Sequence, residues 1–157
     1  MTAAHASALL WPMLAQVGWT FLLYAWLTVA RLRAVRGGGT AWSAFVLGRE
    51  EPLEVARITR NLANQFEAPL IFYAFGVLLV ATDQVVWIDV WAGWIFVLGR
   101  VVHTGVQTLT NDVPLRGRVF MINFLALIVL VTHVAWLGVG GGFDQRLVIE
   151  RTHVLQR

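Results

Sequence analysis

The chain has 157 residues, of which 58% are hydrophobic and 13% charged, about half the ~25% charge of an average soluble domain, and its mean hydropathy is +0.68. That balance excludes a soluble globule: the apolar residues fall in runs long enough to cross a ~30 Å hydrocarbon core, which takes about 20 helical residues. All twelve basic residues are arginine and there is no cysteine, so the net charge of +3 rests on permanently charged guanidiniums, and disulfides, thiolate metal sites and a cysteine nucleophile are excluded.

In chain order, the first apolar segment runs over 9–30, interrupted chiefly by Gln16, and stops at Arg31, Arg33 and Arg36. No Lys or Arg precedes it, so a retained span is expected rather than a cleaved signal. Gly37, Gly38 and Gly39 open a polar loop over 31–59, and a helix opens near Leu53. The second span covers 60–82, apolar only from Ala68 onward, with Pro69 predicting a bend. The third covers 85–109 and carries Arg100 and His103. Asn111, Asp112 and Pro114 form a turn and cap for a fourth span over 116–138, ended by Gly140, Gly141 and Gly142. The tail 143–157 is too polar to span and is expected at the surface.

The predicted fold class is therefore all-α, an integral membrane four-helix bundle in one domain. Of its arginines, seven lie in the 31–59 loop and the 110–118 turn, and three in the C-terminal tail. The positive-inside rule then makes those two connections cytoplasmic and puts both termini on the opposite side. Trp11, Trp87, Trp91 and Trp136 fall toward that opposite interface, where aromatic belts form. Basic charge that orients a membrane protein, with no soluble basic arm, gives no support for a nucleic-acid partner.

The polar half of span two and the polar half of span three share one depth. Arg57, Arg60, Asn64 and Glu67 recur at spacings of three and four, and so do Arg100, His103 and Gln107, which keeps each set on one helix face. Arg116 opens span four at the same level, and Arg31 and Arg33 close span one there. Charge inside a span costs ~2.5–3.5 kcal/mol per residue on insertion scales, so such groups face an interior, pair, or mark a ligand path. Several guanidiniums around a single carboxylate suit an anionic ligand bearing one ammonium. Glutathione has that pattern, and a neighbouring guanidinium favours its thiolate. A haem between His103 and His133 is disfavoured, since the two differ by ~15 Å in depth. No zinc-ligand spacing, phosphate loop or serine elbow is present.

These residues carry a family resemblance. Arg60-x-x-x-Asn64-x-x-Glu67, the stretch Gly99-Arg100-Val101-Val102-His103-Thr104, and Pro114-Leu115-Arg116 resemble the membrane-associated proteins in eicosanoid and glutathione metabolism, with the latter stretches most similar to the microsomal prostaglandin E synthase branch. The resemblance implies a homotrimer that binds glutathione between subunits. It implies that Arg60 and Asn64 hold the polar and carboxylate groups, that Glu67 takes the ammonium, and that Arg100 and His103 complete the wall. Arg116 matches the thiolate-activating arginine, Arg31 or Arg33 reaches the same pocket, and a lipophilic electrophile enters from the membrane lipid. Two positions depart from the pattern: Gln107 stands where a tyrosine is common, and Gly117 follows Arg116 where the prostaglandin branch has serine. The resemblance thus implies a generic glutathione transferase or peroxidase. The alternatives are a non-catalytic membrane subunit or lipid-binding protein that retains the fold, and a pocket for some other anionic cofactor.

Overall fold

Helix α1 (Ala6–Arg36) runs unbroken for 31 residues in the computed structural model of the chain, which describes residues 4–46 and 50–140. It continues nearly two turns beyond the expected end at residue 30. The basic cluster marks where the apolar stretch ends, but arginine is a strong helix former and its charge suits a helix C-terminus. Gly37 and Gly38 then stop it: their N–H groups donate to the carbonyls of Arg33 and Val35, both at 3.0 Å, and Gly38 takes a φ of 74° that side-chain-bearing residues rarely adopt. Of the polar loop expected over 31–59, residues 31–36 are therefore helical, and so are 53–59.

Helices α2 (Leu53–Ala63) and α3 (Ala68–Ala81) form one column broken by a 3-10 turn at Asn64–Phe66 and by Glu67, whose φ and ψ are −100° and −92°. Pro69 explains the break: it has no N–H for the Gln65 carbonyl, and its ring crowds that turn. Helix α4 (Trp87–Leu109) follows a short link, and α5 (Val113–Val139) opens on Asp112, whose Oδ1 accepts from the Leu115 N–H at 2.8 Å, with Pro114 in the first turn. The predicted cap and the predicted bend are both present. The tail 143–157 and Gly141 and Gly142 lie outside the described residues.

Among the described residues three columns, Ala6–Arg36, Leu53–Ala81 and Val113–Val139, are long and apolar enough to cross a membrane. Helix α4 has the length, 23 residues or about 35 Å, but its apolarity is diluted by Asp89, Arg100 and His103. All three are buried, and α4 packs most extensively on α5 while also touching α1 and α2. It is the inner helix of an all-helical membrane bundle, and its polar groups are tolerated because they face protein.

Two apolar clusters fill the bundle. One joins Leu9, Phe72, Phe96, Leu127 and Leu130, with the rings of Phe72 and Phe96 stacked at 4.7 Å. The other joins Leu23, Leu27, Val55, Ile58 and Leu62. The buried polar residues Gln16, Gln65, Arg100 and Asn123 belong to a layer between them. Trp11, Trp87, Trp91 and Trp136 are all exposed.

Candidate functional site

The break between α2 and α3 organises the polar layer. It frees main-chain carbonyls deep in the bundle, where each needs a partner. Arg100, 1% exposed, supplies one: it donates from Nη2 to the Asn64 carbonyl at 3.0 Å and from Nε to Gln65 Oε1 at 3.4 Å. Gln65 in turn accepts from Gln16 Nε2 at 3.0 Å and donates to the Asn61 carbonyl at 3.1 Å. Asn61 Nδ2 meets Thr104 Oγ1 at 3.1 Å. Side chains from α1, α2 and α4 are thus tied together around the break.

Beside this ladder lies a cavity of about 280 Å³ lined by Arg60, Asn64, His103, Gln107, Val113, Arg116, Gly117 and Phe120. Helix α2 contributes Arg60, the 3-10 turn that follows it contributes Asn64, α4 contributes His103 and Gln107, and α5 contributes the rest. Asn64 Nδ2 donates to Gln107 Oε1 at 3.1 Å, which holds both amides against the wall. The His103 ring lies 6.3 Å from Phe120, within electrostatic reach of both Arg100 and Arg116. Two guanidiniums, two amides and an imidazole therefore converge with no carboxylate in the lining. Arg60 and Gly117 are exposed, so the cavity is open to the outside of the chain. A second cavity of about 270 Å³ adjoins it, sharing Arg60, Gln107, Val113 and Arg116 and reaching Asn111 and Asp112. Between α2 and the α4–α5 turn, Arg57 donates to Asn111 Oδ1 and to the Thr108 carbonyl.

Five of the sequence-predicted site residues, Arg60, Asn64, His103, Gln107 and Arg116, share this cavity. Four do not line it within one chain. Arg100 is sealed behind it, serving the broken helix. Glu67 is exposed: the helical face holding Arg57, Arg60 and Asn64 is cut by the 3-10 turn, which turns Glu67 off that face, although it remains within electrostatic reach of Arg100. Arg31 donates to Glu51 Oε1 at 2.6 Å and to Thr59 Oγ1 at 3.3 Å, with its guanidinium 5.2 Å from the Phe45 ring centre. Arg33 is exposed. Sequence reasoning misses Asn61, Gln65 and Thr104, although their signal is present: Asn61 and Gln65 recur at i,i+4 on the other face of α2, and Thr104 is one turn beyond Arg100.

The second buried histidine belongs elsewhere. His133 Nδ1 lies 3.0 Å from both carboxylate oxygens of Asp89, and Asp89 Oδ2 also accepts from the Val86 N–H at 2.8 Å. This pair closes the start of α4 onto the far part of α5. Among the described residues no cluster of three or more metal-ligating side chains occurs.

The family model described as the MAPEG family matches residues 9–136, which contain every residue of the cavity. No curated protein and no solved structure matches the chain.

Proposed function

Because this chain belongs to the MAPEG family, we propose that it is a membrane-bound glutathione-dependent transferase or peroxidase acting on lipophilic electrophiles. It is an integral membrane protein of a family named for glutathione and eicosanoid metabolism. One observation carries the finer reading: Arg60 and Arg116, on different helices, converge with His103, Asn64 and Gln107 on a cavity that has no acid of its own. Such a wall leaves uncompensated positive potential and a dense set of donors, which suits a ligand bearing carboxylates and an ionisable thiol.

In this reading Arg60 and Asn64 bind the carboxylate and amide groups, His103 and Gln107 complete the wall, and Arg116 stabilises the thiolate electrostatically. Arg100 acts from behind by fixing the Asn64 backbone. Glutathione bound there would supply a sulfur nucleophile for a lipophilic electrophile or a hydroperoxide. The thiol proton leaves to water at the polar end of the bundle, and this mechanism calls on no metal and no covalent enzyme intermediate. Gln107 and Gly117 favour this general activity over the prostaglandin isomerisation of the synthase branch.

The exposed carboxylate of Glu67 supports self-association. It sits at the middle of the Leu53–Ala81 column, where a charge facing lipid is costly and is normally turned toward protein or water. A second copy packed over Glu67 and the open side of the cavity removes that cost and places a carboxylate where the ligand's ammonium is required. A homotrimer with sites between subunits has this property. The excess of arginine at this end supports a cytoplasmic location for the cavity.

Titration calorimetry of the purified protein with glutathione, beside Arg116→Ala, tests the reading. The wild type is expected to bind with the ultraviolet absorbance of a thiolate, and the variant to bind without it and to lose turnover. Silence of the wild type at millimolar glutathione favours a non-catalytic membrane subunit that retains the fold; unchanged turnover in the variant removes Arg116 from the mechanism.

A further inference from the structure

Asn123 lies on α5 with no exposure, and among the described residues neither its amide nitrogen nor its amide oxygen has a hydrogen-bond partner. A buried amide with both ends unpaired is rare and calls for a cause. Gly99 on α4 faces it: a β-carbon added at Gly99 would stand 2.0 Å from Asn123 Oδ1. Only glycine admits the amide, and the oxygen lies along a Cα–H direction of Gly99, the weak C–H···O contact that recurs between closely packed helices. That contact turns the oxygen toward the α4 backbone and sends the NH2 group the other way.

One turn along the same face of α4 stands His103. Its ring is beside Phe120, which is one turn before Asn123 on α5, so Gly99 with Asn123 and His103 with Phe120 form successive levels of one helix pair. His103 Nδ1 is buried and unpaired, which leaves Nε2 as the ring nitrogen open to the cavity. A neutral imidazole has one donor and one acceptor nitrogen, and the bond made at one decides the role of the other.

We propose that Asn123 is a positioning residue that fixes the His103 proton on the cavity side. The Asn123 NH2 donates to Nδ1 through one buried water, for which the two unpaired groups supply polar partners at both ends. Nδ1 is then an acceptor, and Nε2–H becomes a donor aimed at an anionic ligand held between Arg60 and Arg116. The inference deepens the glutathione reading and rests on it only for the effect on affinity.

The test uses the full chain in detergent or lipid, labelled with 15N histidine, without ligand; His103→Gln assigns the signal. The wild type is expected to show a bare Nδ1 and a protonated Nε2 at His103, whereas His133, held by Asp89 through Nδ1, carries a proton on Nδ1 and serves as the internal reference. Asn123→Asp, which offers an acceptor in the same place, is expected to move the His103 proton to Nδ1 and to weaken glutathione binding about tenfold, the worth of one good hydrogen bond. Gly99→Ala displaces the amide without adding charge and is expected to leave a mixture of the two forms. A wild-type His103 protonated on Nδ1 overturns the proposal without recourse to any variant, and so does a proton that stays in place in Asn123→Asp. A proton that moves as expected in a protein that never binds glutathione supports the positioning role and counts against the ligand instead.

Discussion

His103 and His133 sit on neighbouring helices and are almost equally hidden, 3% and 5% exposed, yet their surroundings differ in kind. His133 has a carboxylate of its own, which also caps the start of α4, so the charge of Asp89 is answered inside the chain by His133 Nδ1 and the Val86 N–H. His103 stands on the wall of a cavity with guanidiniums on two sides and no acid in the lining. Burial alone does not separate a structural histidine from a working one. The separation comes from whether the local charges and hydrogen bonds close among themselves or leave a demand that a ligand can meet.

The largest expected effect breaks the closed member of the pair. Asp89→Ala strips the acceptor from His133 and from the Val86 N–H, and losing one side of a buried pair costs about 3–5 kcal/mol. Unfolding in detergent should show that loss, while the glutathione affinity of the folded protein changes by less than about twofold, because the two sites are distant and share no partner. His103→Ala should do the reverse: binding weakens about tenfold while stability shifts by no more than about 1 kcal/mol. If Asp89→Ala abolishes binding in protein that remains folded, the two ends of the bundle are coupled and the contrast fails.

The same comparison applies to the arginines. Arg100 satisfies a carbonyl freed by the broken helix, so Arg100→Met should destabilise by about 1–3 kcal/mol, the cost of stranding buried acceptors. It should lower affinity only through a displaced Asn64. Arg116 has no hydrogen-bond or ion-pair partner to strand among the described residues and is partly exposed; Arg116→Ala should leave stability within about 0.5 kcal/mol and remove thiolate absorbance. Denaturation midpoints set beside glutathione titrations for the two variants check this.

How far the sequence carries can be read from these residues. Hydropathy places four helical columns, and Asp112 and Pro114 announce the start of α5, because span length and caps are local properties. Pro69 announces the bend. Its consequence is not local: a 3-10 turn at Asn64–Phe66 rotates the rest of the column, so a face drawn through Arg57, Arg60, Asn64 and Glu67 at constant helical period holds only as far as Asn64. Arg100 and His103 lie three residues apart, and periodicity gives them the same role; only the position of the broken helix against α4 assigns one to the backbone and the other to the cavity. Asn123 has no partner legible in sequence, since Gly99 becomes informative only when the two helices are packed together.

Arg33, set against Arg31, gives the smallest and most discriminating effect. Sequence alone sets both near the pocket, because both end the same apolar stretch, but helix geometry puts two residues on different faces when they are two apart. Arg31 turns inward to Glu51, whose side chain is 1% exposed against 30% for its own, and lies against Phe45; Arg33 faces outward. Arg31→Ala strands the buried Glu51 carboxylate and should cost about 1–3 kcal/mol, loosening the start of α2. Hydrogen exchange at Glu51 and Thr59 should report that loosening, while glutathione affinity holds. Arg33→Ala should leave both readouts unchanged in an isolated chain. If Arg33→Ala instead weakens glutathione binding, its side chain reaches the cavity of a neighbouring copy, and the positive wall that Arg60 and Arg116 begin is finished by a second subunit.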